Sequence, residues 1–212
     1  MISKRKCNQN RFIKMVKMKL KKFLKRVVDI IFLILVMPVY VYQKIADKVF
    51  RSDRNFAGIS QMLSLIPGLV GCYMRKNYYR LSMTHCDKDC AILFGTIFSH
   101  ADTEIGKGVY IGPNCNIGRC KIEQHCTLGS NVHILSGKEQ HQYNDLDTPI
   151  QEQGGVFKKI IVGEDTWVGN CSVVLADLGK KCIVGAGSIV VKEVDSYSVV
   201  AGNPVRTLKK RK

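Results

Sequence analysis

From residue 105 onward, aliphatic side chains return every six positions. Ile105, Ile111 and Ile117 set the step, and Ile122, Leu128 and Ile134 resume it after one step of five. Beyond a polar break come Val162, Val168 and Val174, then, after a step of four, Leu178, Val184 and Val190. Glycine often follows the aliphatic, as at Gly106, Gly112, Gly118, Gly129, Gly163, Gly169, Gly179 and Gly185. Four residues after the aliphatic stands something small or β-branched: Val109, Cys115, Cys126, Val132, Thr166, Ser172, Cys182, Ser188. A six-residue period does not fit a helical face of 3.6 residues per turn. Recurrent glycine argues against an ordinary alternating strand. The pattern predicts a parallel β-helix in which each hexad is one short strand and one turn. The aliphatic fills the interior, the fourth residue along also points in, and glycine sits near the bend, where wide backbone freedom is useful.

The first quarter of the chain follows a different rule. Ile13, Val16, Leu20, Phe23, Leu24 and Val27 recur at steps of three or four, one face of a helix, and Lys14, Lys17, Lys21, Lys22 and Lys25 form the other. Residues 27 to 42 are then apolar apart from Asp29 and Pro38. Sixteen residues at about 1.5 Å each reach roughly 24 Å, short of a bilayer core of about 30 Å. A signal peptide does not fit, because the basic region is too long and no small-x-small cleavage site follows. The expectation is a membrane-associated arm over residues 1–43 that enters and returns with Pro38 as the bend, or lies in the interface. The Lys25-Arg26-x-x-Asp29 run ending at Pro38 also resembles, over fewer than twenty residues, the re-entrant helix of monotopic phosphoglycosyl transferases. Residues 44–90 read as short helices with a turn at Pro67-Gly68 and say little about function.

Charge sharpens the picture of the arm. The net charge is +16, yet residues 1 to 26 hold eleven Lys or Arg and no acid. The remainder has 22 basic and 17 acidic side chains, a balance of +5. A second basic cluster, Arg206 to Lys212, closes the chain, with 209–212 read as a tail. Basic ends beside a greasy run point to an anionic membrane surface rather than to nucleic acid. Nine cysteines without a CxxC pair read as small buried thiols in a reducing compartment. His85, Cys86 and Cys90 supply three possible zinc ligands with no fourth nearby, so no metal is expected.

With the hexads, "WVG" at 167–169, "VGAGSIV" at 184–190 and "AGNP" at 201–204, the chain resembles the hexapeptide-repeat acyltransferases over about residues 91 to 208. The resemblance implies a mainly β fold, a left-handed parallel β-helix behind the helical arm. It also implies a homotrimer with active sites between subunits and acetyl-CoA as co-substrate. The acceptor class it suggests is a sugar or lipid-linked saccharide, acylated at the cytoplasmic face of a bacterial inner membrane during surface polysaccharide synthesis.

The same resemblance gives the polar break a purpose. Residues 136–159 interrupt the coil, and His141 matches the catalytic histidine that opens such a loop in galactoside-acetyltransferase-like relatives. Acetyl transfer needs a base for the attacking hydroxyl, and imidazole can take that proton and pass it to the leaving thiol. Alignment on Trp-x-Gly puts the backbone N–H of Asn170 at the oxyanion. Trp167, Gly169, Gly185, Ala186, Gly187, Ser188, Asn203 and Pro204 match the cofactor groove. Asn114 falls near the acceptor position, and His133, outward on the coil, is the reserve base. Glu139, Asp145 or Asp147 would orient the imidazole. Three other functions stay in view: a serine or antibiotic acetyltransferase, a γ-carbonic-anhydrase-like zinc enzyme, and a non-catalytic trimeric scaffold. The spacing of eight between His125, His133 and His141 departs from the zinc pattern.

Overall fold

The structure, a computed structural model, describes residues 2–50 and 54–211, with the backbone alone for 2–17 and 22. Three helices precede a parallel β-helix of about six turns. Its strands are mostly two residues long and stack on three faces. Face I carries β1 (His85–Cys86), β4 (Glu104–Ile105), β7 (Cys120–Ile122) and β10 (Ile160–Val162). Face II carries β2 (Ala91–Ile92), β5 (Tyr110–Ile111), β8 (Thr127–Leu128), β11 (Trp167–Val168), β13 (Ile183–Val184) and β15 (Ser198–Gly202). Face III carries β3 (Ile97–Phe98), β6 (Asn116–Ile117), β9 (His133–Ile134), β12 (Val173–Val174) and β14 (Ile189–Val190). The last strand, β16 (Val205–Lys210), folds back antiparallel on β15 and caps face II.

Every hexad aliphatic named above is at most 1% exposed, and so is every fourth residue along. Stacking turns about 4.8 Å apart align these side chains into continuous interior columns. The columns begin earlier than residue 91. Cys86, Ile92 and Phe98, also six apart, fill the first turn, which brings the solenoid down to His85. The 209–212 tail is shortened likewise, since Lys209 and Lys210 lie within β16.

The role given to glycine changes. Positive φ falls two positions later, on Asn114 (57°), Asn131 (55°) and Cys171 (59°) among others. At Gly112 a Cβ would lie 2.7 Å from the carbonyl carbon of Gly129 on the next turn. Glycine beside the aliphatic therefore lets successive turns close on each other at the corner. Backbone freedom is required elsewhere in the same turn.

Helix α1 (Ile2–Phe50) continues through Pro38 without a break, where the sequence predicted a bend. Of the two predicted faces, Ile13 and Val16 on one and Lys14, Lys17 and Lys22 on the other lie outside the described side chains, while Leu20, Phe23 and Leu24 are exposed. Helices α2 (Arg54–Ser64) and α3 (Gly68–Ser82) join α1 to the coil. Arg75, fully buried, donates to the carbonyls of Leu63 (2.9 Å), Ile66 (2.8 Å) and Ile92 (3.0 Å). It thereby satisfies the open C-terminal carbonyls of α2 and ties them to the first turn.

Helix α1 buries polar residues beside Val36 and Ala46 and leaves many apolar ones exposed. Toward its neighbours it offers Asp29, 2.5 Å from Lys76 Nζ, and Gln43, whose Oε1 accepts the Tyr78 hydroxyl at 2.8 Å. Phe32 stacks on Tyr73 with ring centroids 5.3 Å apart. Ile30, Ile31, Ile34, Leu35, Val41, Tyr42 and Ile45 are 46–66% exposed. The Asp29 signature therefore has a packing explanation, an ion pair with α3. Among the described residues no helix is long and apolar enough to cross a membrane.

Candidate active site

Two corners of the prism carry the predicted chemistry. The corner between faces II and III gathers the cofactor candidates on consecutive turns. Trp167 points outward from β11, 53% exposed, between Thr127 below and Ile183 above. Gly169 and Asn170 follow it around the corner. One turn higher, Gly187 N–H donates to the Asn170 carbonyl at 2.8 Å. A Cβ on Gly169 would sit 2.6 Å from Ala186 N, whereas one on Gly187 (φ 68°) would meet nothing within 4 Å. The first glycine seals turn to turn. The second leaves open backbone that an elongated thioester arm can approach. Asn203 and Pro204 form the exposed tip of the β15–β16 hairpin, whose Gly202 N–H donates to Ser188 Oγ at 3.2 Å. Ser188 is fully buried, so its hydroxyl serves the coil and only its backbone is placed for a ligand.

Asn170 is exposed, and its Oδ1 accepts Ser130 N–H at 3.1 Å. Its own N–H makes no backbone hydrogen bond among the described residues. It is thus a donor positioned by the coil and left for solvent or an incoming anion. Asn114 lies on the same corner in a lower turn. It takes the left-handed turn conformation, and its side chain covers Gly95, where a Cβ would come within 2.0 Å of its Oδ1. That packing accounts for Asn114 without a ligand.

His141 belongs to the other corner, between faces III and I. Residues 135–159 leave the coil there and return as two arms bonded to each other. Lys158 N–H donates to Ser136 O (2.8 Å), Val156 to Glu139 (2.6 Å) and Gln142 to Gly154 (3.0 Å). The arms close tightest beside the histidine, where a Cβ on Gly155 would lie 1.9 Å from the Gln140 carbonyl oxygen and 2.9 Å from His141 N. The ring itself is on an exposed residue. Of the carboxylates considered as its orienting partner, Asp145 is engaged inside the loop. Thr148 Oγ1 donates to it at 2.6 Å and Asp147 N–H at 2.9 Å, and these two bonds hold its carboxyl below the usual range. Glu139 instead lines a cavity of about 330 Å³ at the loop's root, with Lys138, Lys158, Leu175, Lys192 and Glu193.

His133 stands half-buried on face III between Asn116 and Val173, in neither place. The His85–Cys90 group separates. Cys86 Sγ lies 3.6 Å from Cys90 Sγ, both buried, while His85 is exposed on the strand's opposite side. The Cys90 hydrogen bond and then burial push the Cys86 thiol up. No cluster of three metal-ligating side chains occurs among the described residues.

Sequence reasoning missed Arg119, which holds both roots of the loop. Its N–H donates to Ser136 Oγ (2.9 Å), its carbonyl accepts Ile160 N–H (3.0 Å), and its Nη1 donates to the Phe157 carbonyl (3.0 Å). A lone arginine between hexads carries no motif. The signal that was available is the Gly154-Gly155 pair facing the histidine.

Comparison with known proteins agrees with the coil. Residues 102–136 match the family model "Bacterial transferase hexapeptide (six repeats)". That stretch is a hexapeptide-repeat solenoid. A chloramphenicol acetyltransferase of Klebsiella aerogenes is 28% identical over 112 residues, covering 45% of this chain and 53% of its own. A hexapeptide-repeat acetyltransferase of Vibrio cholerae O1 biovar eltor, solved with acetyl-CoA, superposes with a TM-score of 0.64 at 19% identity, over 76% of this chain and 87% of that one. A maltose O-acetyltransferase of Clostridium difficile 630 gives 0.60 at 18%, over 78% and 90%. These structural likenesses concern the fold. The chain spans about half the length of the first curated relatives it matches.

Proposed function

We propose that the protein is an acetyl-CoA-dependent O-acetyltransferase. It modifies a sugar hydroxyl in the assembly of a bacterial surface polysaccharide, as a homotrimer at the cytoplasmic face of the inner membrane. The observation that carries the reading is the division between corners. The oxyanion donor and cofactor candidates share one corner, and the histidine-bearing loop projects from another. One protomer separates the two sets by the width of face III. A neighbouring copy can bring its loop to the first corner, which is why the reading includes a trimer.

In that arrangement His141 takes the proton from the acceptor hydroxyl as its oxygen attacks the thioester carbonyl. The carbonyl oxygen becomes an oxyanion and accepts a hydrogen bond from Asn170 N–H. Collapse breaks the carbon–sulfur bond, and the imidazolium returns its proton to the departing thiolate. A base so placed contributes about 10²–10⁴ in rate, and one oxyanion donor about 10²–10³. The outward apolar face of α1 supports the membrane location. Polar residues joining helices inside and apolar ones outside is the arrangement suited to lipid.

The test is acetyl transfer by the full-length protein to nucleotide- and lipid-linked sugars, with chloramphenicol included because of the Klebsiella relative. His141→Ala should lower kcat at least a hundredfold without changing oligomer mass. Near-normal turnover in that variant sinks the assignment, and preferred transfer to chloramphenicol replaces the sugar with an antibiotic.

A further inference from the structure

A second cavity, about 530 Å³, lies where the helices meet the first turns. Lys44 of α1 and Ser82 of α3 line one side, His100, Asp102 and Arg119 of the coil the other. It opens on the same corner as the loop bearing His141. Phe157 of the loop's returning arm reaches it, with the Phe157 and His100 ring centroids 5.8 Å apart.

The wall is unevenly satisfied. Asp102 Oδ2 accepts both Nε (2.9 Å) and Nη2 (2.6 Å) of Arg119. Its Oδ1 is buried with no hydrogen-bond partner, the one such side-chain atom among the described residues. A carboxylate offers about four acceptor sites, and two are used here. Leaving such capacity unmet costs about 1–3 kcal/mol or more. Oδ1 itself is buried while the Asp102 side chain as a whole is 37% exposed, so a molecule in the cavity meets the rest of the side chain first and Oδ1 once the carboxylate turns. Lys44 and Arg119 outweigh Asp102 in charge, which leaves the cavity favouring an anion that also carries hydroxyl donors.

From this combination we infer that the cavity binds a glycosyl phosphate. Asp102 accepts a sugar hydroxyl, and Lys44 and Arg119 receive the phosphate charge. The identification of the ligand as an acceptor rests on the proposed transferase reading; the binding itself does not. The phosphate can belong to a nucleotide or to a lipid carrier. A lipid carrier would place its chain near α1, whose outer face is apolar. Because Arg119 also holds both roots of the loop, a ligand here would bear directly on the segment that carries His141.

Equilibrium binding to the full-length protein in mixed micelles tests this, with three probes: galactose 1-phosphate, UDP-glucose and undecaprenyl-diphosphate N-acetylglucosamine. At least one should bind tenfold or more tightly than free galactose. Asp102→Asn and Lys44→Gln should each weaken that probe at least fivefold while leaving acetyl-CoA binding within twofold. Lys44 is exposed and packs on the Tyr40 ring at 5.5 Å, so its variant keeps the fold intact. The probe that binds identifies the carrier. Absence of binding by all three, or unchanged affinity in both variants, overturns the inference. Neither result depends on turnover, so a failed transferase assay with intact probe binding would remove the reaction and keep the site.

Discussion

The solenoid and helix α1 solve the same burial problem in different ways. In the coil, two positions in six go inward, one aliphatic and one small or β-branched, and none of the twelve hexad aliphatics faces out. In α1 the inward positions include Asp29, Gln43 and Asp47, while Ile34, Leu35 and Ile45 face out. The coil hides its aliphatics inside the prism, whereas helix α1 leaves a run of apolar side chains uncovered. One chain therefore contains a closed solenoid and a helical unit with an exposed apolar face. The cavity holding Asp102 lies at their junction.

The strongest way to break the comparison is at the inward polar contact. Lys76 and Asp29 have side chains only 5% and 13% exposed. Removing one partner of a buried pair strands the other, at about 3–5 kcal/mol. Asp29→Ala should therefore loosen α1 from α3, read as faster proteolysis of the helical unit. Asp29→Ala with Lys76→Met should recover most of the loss. Full protection in the single variant would mean that apolar contacts such as Val36 hold α1 alone.

The next test compares matching truncations. Ile111→Ala empties a fully buried site and should cost about 2–5 kcal/mol in chemical denaturation. Ile34→Ala, at a site 66% exposed, should stay within about 0.5 kcal/mol in detergent. Ile34→Lys with Ile45→Lys should instead reduce recovery on vesicles of anionic lipid. These outward substitutions are cleaner than deletion of residues 1–43, which would also strip Val36 from the core it shares with Leu63 and Tyr78.

The coil was legible because its rule is periodic. Twelve aliphatic positions predicted the interior, and each is buried. The start of the first turn, at His85–Cys86, was missed because a step of seven separates Phe98 from Ile105, although Cys86, Ile92 and Phe98 keep the period among themselves. Helix α1 was legible as helical and apolar but not in orientation. Asp29 and Gln43 looked like intrusions in a greasy run, and nothing local reveals that α3 supplies Lys76 and Tyr78. The corner that gathers Trp167, Gly169 and Asn170 was legible because it is made of coil geometry. Arg119 and Asp102 escaped because their partners lie in the loop and across a turn, a relation of the fold with no local spacing to announce it.

The mildest perturbation probes the corner where the cofactor candidates gather. Cys171 follows Asn170 there and is exposed, whereas Cys115, Cys126 and Cys182 point into the prism. Burial pushes the Cys126 thiol up to about 11, so it stays protonated and shielded at pH 8. Thiolate is the reactive form, so an alkylating agent should label Cys171 ahead of these three. If the thioester arm lies along the open backbone at Gly187, acetyl-CoA should slow that labelling several-fold. The buried thiols should remain unlabelled with or without it. Equal labelling of Cys171 in both conditions would move the cofactor away from this corner, leaving the 330 Å³ cavity at the loop root, with Lys138, Lys158 and Lys192, as the alternative place for its phosphates.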